Sequence, residues 1–116
     1  MSELSRDIRI LQHMIDYCDQ VEMAVKMFGK NFDSFDRNPV YRNSVALCIL
    51  QIGELTGCLT DEFKNSHTDV PWRKIKAMRN IVAHRYGMMD NAITWEVATE
   101  DIPLLKASCL AIKSEM

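Results

Sequence analysis

Glycine and proline are scarce in this sequence. Its 116 residues include 4 glycines and 3 prolines. The glycines are too few and too scattered for a P-loop or for the fingerprint of a dinucleotide-binding fold. The Gly-x-Ser-x-Gly turn of the hydrolase nucleophile elbow is also missing. These classes of nucleotide-binding and hydrolytic enzyme are therefore excluded, and we expect no cofactor.

Long apolar runs are missing as well. No stretch approaches the roughly 20 apolar residues that a membrane-spanning helix needs. The N-terminal sequence MSELSRDIRI lacks the apolar segment of a secretory signal. The length is typical of a single domain. We therefore expect one domain over residues 1–116, no membrane partner and a cytoplasmic location.

Cysteine patterns that bind metals do not occur. None of the four cysteines forms a Cys-x-x-Cys pair, and no histidine pair flanks them at zinc spacing. Each cysteine lies in an apolar segment. We interpret them as small core residues in a reducing compartment, in preference to a disulfide framework or a metal site.

Acidic residues are missing from one segment of an otherwise acidic chain. The formal net charge is −2, yet residues 70–89 contain no acid and five bases. These bases are Arg73, Lys74, Lys76, Arg79 and Arg85. A basic stripe on an acidic body can contact phosphate groups. A solvated helix face would carry the same charges, so charge alone does not decide between the two.

Helical periodicity is what the sequence does have. Apolar residues recur at steps of three and four, whereas the alternation of a strand is not sustained. The pattern predicts helices from residue 4 to about Gly29, over 39–64 and over 71–85, with a loop between the first two. A fourth helix follows Asp90, and a last helix follows a fresh start or a kink at Pro103. The expected fold is all-α, an up-and-down bundle of four to five helices.

The stretch MRNIVAHRY, residues 78–86, combines apolar and reactive side chains. Asn80 and His84 are four residues apart, so they share one helix face. Arg79 is long enough to reach the same place, and Tyr86 lies close by if the helix continues. We therefore expect Arg79, Asn80 and His84 to converge on one pocket.

Arginine and histidine together suit a metal-independent attack on an RNA phosphodiester. Histidine exchanges a proton near neutral pH, and arginine holds phosphate without losing its charge. His84 would be the general base or acid, Arg79 would stabilise the phosphorane charge, and Asn80 would support them. Because the reaction benefits from both a base and an acid, a two-fold dimer would supply the second histidine.

Glu54 stands in the apolar run CILQIGELTGCL. A buried carboxylate is costly unless it is paired. We expect Glu54 to give structural support, either by pairing with Arg79 or by capping a neighbouring helix. Gly53 and Gly57 would let that neighbour approach closely. Elsewhere, His13 and His67 are expected on the solvated surface, and Trp72 and Trp95 in the core or an interface.

Five pieces of the chain together resemble the HepT-like toxins of the HEPN superfamily. They are IGEL at 52–55, VPWRKIKAMRNIVAHRY at 70–86, Asp90, Trp95 and DIPLLK at 101–106. The pattern of an arginine, four residues, a histidine, one residue and a tyrosine is intact as Arg79, His84 and Tyr86. The resemblance extends from the middle of the second predicted helix to the last helix.

The resemblance implies a homodimeric, metal-independent endoribonuclease toxin in which both subunits line one cleft. The implied partners are RNA and a nucleotidyltransferase antitoxin, which would transfer AMP to Tyr86. Arg73, Lys76 and Arg85 are then the candidates for substrate binding. An alternative is a non-catalytic module that binds a nucleotide or regulates the nucleotidyltransferase. A purely structural helical dimer is a third possibility.

Overall fold

The computed structural model describes residues 2–83 and 90–116, and every regular element within these ranges is helical. The elements are α1 (Glu3–Phe28), α2 (Phe32–Arg37), α3 (Pro39–Cys58), α4 (Asp61–Ser66), α5 (Trp72–Ala83), α6 (Asn91–Glu96), a π-helical segment (Val97–Asp101) and α7 (Ile102–Ser114). The all-α prediction is therefore confirmed for these residues. No helix among them is long and apolar enough to cross a membrane.

The ends of the long helices follow the signals in the sequence. The Ser2 side chain caps α1 by accepting a hydrogen bond from the Ser5 amide. At the other end Gly29 has a φ of 109°, a conformation that glycine adopts without strain, and α1 ends there as predicted. Asn38 caps α3, which begins with Pro39 in its first turn.

The long helices run antiparallel to their neighbours. The Tyr41 hydroxyl donates to the Gly29 carbonyl at 3.1 Å, which joins the start of α3 to the end of α1. The Thr60 amide donates to the Asp7 carboxylate at 2.9 Å, which joins the end of α3 to the start of α1. Helix α3 also packs against α5, so it lies between two long helices.

A second set of contacts closes the bundle on the other side of α1. Lys106 on α7 bridges Asp19 at 2.7 Å and Glu22 at 3.0 Å, both on α1. Hydrogen bonds to these two carboxylates raise the pKa of Lys106. The four long parts of the chain are therefore α1, α3, α5 and the continuous run from α6 to α7.

Aromatic side chains fill the end of the core where α3 begins. Tyr41 is fully buried and stacks on Phe28 with ring centroids 5.1 Å apart. Phe35 and Trp95 meet the Tyr41 ring edge-on at 5.1 Å and 6.1 Å. Burial raises the pKa of the Tyr41 hydroxyl. Trp95, expected in the core or an interface, is partly buried and packs against the core.

Two short helices differ from the prediction. The helix expected over 39–64 stops at Cys58, and α4 begins afresh at Asp61. The Thr60 hydroxyl caps α4 by accepting from the Phe63 amide at 3.2 Å. The segment expected to be a loop before Asn38 contains α2, whose Phe35 is fully buried. Both helices have six residues, and such short helices depend on tertiary packing more than on periodicity.

The kink predicted near Pro103 takes the form of a π-helical segment. The Ile102 amide donates to the Val97 carbonyl, five residues earlier, instead of the usual four. Pro103 has no amide hydrogen and would interrupt the regular series of α-helical hydrogen bonds at this position. The wider turn lets α6 continue into α7 without a loop.

Some apolar residues that the periodicity assigned to the core are exposed. Leu4, Leu47, Leu104 and Leu110 keep between 44% and 69% of their surface accessible. The stripe on α3 is therefore narrower than predicted. The side chains that do form its core side are Val45, Cys48, Ile49 and Ile52, all buried.

Candidate functional site

Arg79 and Asn80 lie near the end of α5, on a helix that packs against α3. Met78, just before them, is buried in the core, as predicted. Arg79 is half-buried and Asn80 is exposed. His84, Arg85 and Tyr86 belong to residues 84–89, which lie outside the described residues. The predicted convergence of Arg79, Asn80 and His84 therefore stays a prediction.

Gly53 brings the backbones of α3 and α5 together at Arg79. A Cβ atom at Gly53 would lie 2.8 Å from the Arg79 Cβ and 3.1 Å from its amide nitrogen. It would also lie 3.2 Å from the Lys76 carbonyl oxygen. Real Cβ atoms essentially never come as close as 2.8 Å to another heavy atom, so a larger residue at position 53 would force α3 and α5 to shift. The predicted close approach is confirmed for Gly53.

Gly57 is different. A Cβ atom there would meet only the Cε of Lys76, at 3.5 Å, which is an ordinary contact with the end of a flexible side chain. The predicted need for a glycine is therefore wrong at Gly57. The two positions are one helical turn apart, so they offer a matched pair for mutation.

Glu54 and Arg79 form an ion pair beside Gly53. The Arg79 Nε donates to Glu54 Oε1. Exposed fractions of 39% for the Arg79 side chain and 50% for Glu54 mean that water screens the pair. The expected burial of Glu54 is therefore wrong, while its pairing with Arg79 is observed. The guanidinium has four further N–H donors on its two Nη atoms, and these donors can bind an anion.

The other cations of α5 divide between two sides of the helix. Lys74 pairs with Asp101 at 3.4 Å, which ties α5 to the π-helical segment. Lys76 lies about 200° from Lys74 around the helix axis. Arg73 and Lys76 are three residues apart on one side, and both line a groove. Arg79 lies three residues further on.

The groove has a volume of about 610 Å³ and runs between α4 and the start of α5. Lys64 and Asn65 of α4 lie on its other wall, with Thr68 of the connecting segment. The sequence prediction missed these three residues because it continued the preceding helix to Lys64. The sequence does contain a signal for a new helix at this point. Thr60 followed by Asp61 and Glu62 is typical of an N-cap and an acidic first turn.

Asp7 holds the junction between α3 and α4, and this junction places α4 as one wall of the groove. Its carboxylate is 2% exposed and accepts from both the Thr60 amide at 2.9 Å and the Thr60 hydroxyl at 2.6 Å. These bonds tie the start of α4 to α1. The position of Lys64 and Asn65 beside α5 follows from that attachment.

Histidines elsewhere do not join this site. His13 is exposed on α1, as predicted. His67 is half-buried and packs on Phe63 with ring centroids 4.8 Å apart, so its expected solvation is wrong. The His67 carbonyl accepts from the Trp72 Nε1 at 2.9 Å, and Trp72 is buried as predicted.

The four cysteines are free, and three are buried. Burial raises the pKa of the Cys18 and Cys109 thiols to about 12, and that of Cys48 to about 11. Cys58 is exposed, so its predicted place in the core is wrong. Residues 2–83 and 90–116 contain no group of three or more His, Cys, Asp or Glu side chains arranged to hold a metal ion.

Comparison with known proteins gives one family and several relatives. The family described as "Ribonuclease HepT-like" matches residues 10–112. "Gamma-glutamylcyclotransferase and putative RNase MJ0434" of Methanocaldococcus jannaschii is 32% identical over 114 residues, which are 97% of this chain and 50% of that protein. The chain thus spans half the length of this relative.

Two further relatives are of similar size to the chain. "Putative RNase TTE0752" of Caldanaerobacter subterraneus subsp. tengcongensis is 32% identical over 83% of this chain and 84% of its own length. "Probable ribonuclease HepT" of Thermococcus cleftensis is 28% identical over 78% of this chain and 87% of its own. No solved structure gives a significant match.

Proposed function

Because the chain belongs to the ribonuclease HepT-like family, we propose that it is a metal-independent endoribonuclease and the toxin of a toxin–antitoxin pair. The observation that carries this proposal is the ion pair between Glu54 and Arg79. A partly exposed arginine whose Nε is held by a carboxylate has its remaining donors pre-oriented toward a ligand. Phosphate is the ligand that those donors fit best.

The proposed reaction is a transesterification. The imidazole of His84 takes the proton of a ribose 2′-hydroxyl, whose oxygen then attacks the adjacent phosphorus. The bond from phosphorus to the 5′-oxygen breaks, and that oxygen receives a proton from a second imidazole. The products are a 2′,3′-cyclic phosphate and a 5′-hydroxyl end. Arg79 stabilises the charge on the phosphorane oxygens, and Asn80 orients His84 or a phosphate oxygen.

Glu54 acts as a positioning residue in this scheme. It touches Arg79 and keeps the guanidinium at the contact between α3 and α5. Arg73, Lys76 and Arg85 are the proposed substrate-binding cations. Arg73 and Lys76 line the groove between α4 and the start of α5.

A homodimer supplies the second histidine. Leu47 is 55% exposed on α3, and Glu54 lies seven residues later, about 20° from it around the helix axis. Two copies that meet through this face of α3 bring their two Arg79 side chains toward one cleft.

The dimer proposal is tested with two matched leucines. Leu47→Asp should give a monomer in light scattering, because a carboxylate on a two-fold interface faces its own copy. Leu110 on α7 is 44% exposed, and Leu110→Asp should leave the dimer intact. A Leu47→Asp variant that remains a dimer would show that copies meet elsewhere.

Silencing by an antitoxin is the last part of the proposal. A nucleotidyltransferase partner would attach AMP to the Tyr86 hydroxyl. The bulky anion would then neutralise the charge of Arg79 and block the cleft. Mass spectrometry of the chain expressed together with its antitoxin should find the added AMP on wild type and not on Tyr86→Phe.

The activity is tested with RNA and a chelator. Wild-type protein should cleave RNA in the presence of EDTA, and Arg79→Ala and His84→Ala should each abolish cleavage while remaining folded. Lys74→Ala is the control, since Lys74 is a cation of the same helix that pairs with Asp101. Cleavage by Arg79→Ala at the parental rate would refute the assignment. Tight RNA or nucleotide binding with no cleavage by wild type would support a non-catalytic partner of the nucleotidyltransferase instead.

A further inference from the structure

The groove between α4 and the start of α5 is larger than three other cavities in the described part of the chain. Its volume of about 610 Å³ lies within the range of about 300–1,000 Å³ that is typical of small-molecule pockets. A nucleotide is a ligand of that size. The groove is therefore large enough to hold one nucleotide of a strand.

The charges that line the groove favour an anion. Lys64, Arg73 and Lys76 supply three cations, and Asp61 is the one carboxylate. Asp61 is 95% exposed and already pairs with Lys64 at 3.7 Å. By contrast, the cavity beside the start of α1 is lined by three acids, Glu3, Asp7 and Glu62. The groove is thus suited to a phosphate, and the acidic cavity is not.

The walls of the groove also carry uncharged polar side chains and apolar side chains. Asn65 and Thr68 present an amide and a hydroxyl, the groups that hydrogen-bond the edges of bases. Val70 and Trp72 are buried residues that also line the groove, and they give it an apolar surface. Single-stranded RNA is recognised by this combination of cations, polar edge contacts and apolar or aromatic surface.

The groove lies one turn of α5 before Arg79, because Lys76 is its last lining residue on that helix. Lys76 lines the groove, and its carbonyl contacts the Gly53 position beside the Glu54–Arg79 pair. From Arg73 to Arg79 the helix rises by about 9 Å. A single strand whose phosphate meets Arg79 can therefore continue along the same side of α5 into the groove.

We propose that this groove is a nucleotide-binding subsite for the RNA strand next to the cleaved phosphate. Lys64 binds a flanking phosphate, and Asn65 and Thr68 read the edge of the adjoining base. The inference rests on the proposed ribonuclease function, and it adds the residues that set which sequence is cut. None of these three residues takes part in the proposed proton transfer, so they affect binding and choice of sequence.

The test separates binding from cleavage. Binding is measured by fluorescence anisotropy with a short, labelled 2′-O-methyl RNA, which cannot be cleaved because its 2′-oxygen is blocked. Lys64→Gln should raise the Kd about 3- to 10-fold and lower the salt slope by about 0.7, as expected for the loss of one contact with a single strand. Lys64→Arg should restore most of the affinity. Lys30→Gln is the control, since Lys30 follows α1 at the opposite end of the bundle.

Choice of sequence is measured on a pool of random RNA. The double variant Asn65→Ala/Thr68→Val should change the preference for one base next to the cut by about 2- to 10-fold, as expected when one or two hydrogen bonds are lost. The inference is overturned if wild type cleaves and these variants keep its affinity and its base preference, or if wild type does not bind the RNA. Binding that depends on Lys64 without any cleavage would refute the ribonuclease and leave the subsite standing.

Discussion

The two ends of α3 are built in opposite ways. Its first turn carries Tyr41, which is fully buried among three other aromatic rings. Its last turns carry Gly53, Glu54 and Gly57, which are small or charged. Aromatic rings bury large apolar areas and dominate the energy of a core. The first end can therefore stabilise the bundle, while the second keeps a guanidinium partly open to a ligand.

The difference predicts that stability and the proposed activity depend on opposite ends of α3. At the aromatic end the contacts are with the domain's own core. At the polar end the exposed fractions of Arg79 and Glu54 are 39% and 50%, so their pairing contributes little to folding. Substitution of the buried aromatic residues should therefore change stability, and substitution of the partly exposed Glu54–Arg79 pair should change activity.

The largest expected effect comes from the aromatic end. Phe35→Ala should lower the free energy of unfolding by about 3–5 kcal/mol, because it leaves a cavity beside Tyr41 and Trp95. Chemical denaturation measures this change. The RNA cleavage rate per folded molecule should stay at the wild-type value. A large loss of that rate in a variant that is still folded would contradict the separation.

A smaller effect on stability is expected at the contact of α3 with α5. Gly53→Ala should cost about 1–3 kcal/mol, because the added methyl group meets the Arg79 backbone and forces the helices apart. It should also reduce RNA cleavage, since Arg79 moves with its helix.

Gly57→Ala is the matched control for that substitution. Its methyl group meets only the end of the Lys76 side chain, so alanine should be neutral or should stabilise α3 by up to about 1 kcal/mol. Thermal melts and cleavage assays on both variants measure the contrast. Equal destabilisation by the two alanines would contradict the close approach at Gly53.

The long helices could be predicted from the sequence because their signals are local. Periodicity, Gly29 at the end of α1 and Asn38 before Pro39 gave bounds close to those observed. Helix α2 could not be found in this way, because six residues are too few to show a period. Phe35 also packs on Trp95, which lies 60 residues further along the chain. The split between α3 and α4 depends on Asp7, 53 residues before Thr60.

The site was predictable in part. The sequence singled out Arg79 and named it as a possible partner of Glu54, because a carboxylate in an apolar run needs a cation. It overestimated the burial of Glu54, since the exposed side of α3 could not be recognised from a broad apolar stripe. The groove could not be predicted, because Lys64 and Asn65 face α5 only when α3 ends at Cys58 and α4 starts as a separate helix at Asp61.

Substitution of Glu54 should have the smallest effect on stability. Its effect on activity is the most informative. Glu54→Gln should change the free energy of unfolding by less than about 1 kcal/mol, because the pair is screened. It should slow RNA cleavage by about tenfold or more, because an arginine that is no longer held loses its alignment with the phosphate. Single-turnover cleavage and chemical denaturation together measure both effects.

A double-mutant cycle on Glu54 and Arg79 tests the central claim most directly. Single-turnover rates of RNA cleavage in EDTA are compared for wild type, Glu54→Gln, Arg79→Lys and the double variant. If Glu54 acts through Arg79, the double variant should be no slower than Arg79→Lys alone. Fully additive losses would show that the two side chains act independently, and would contradict the account.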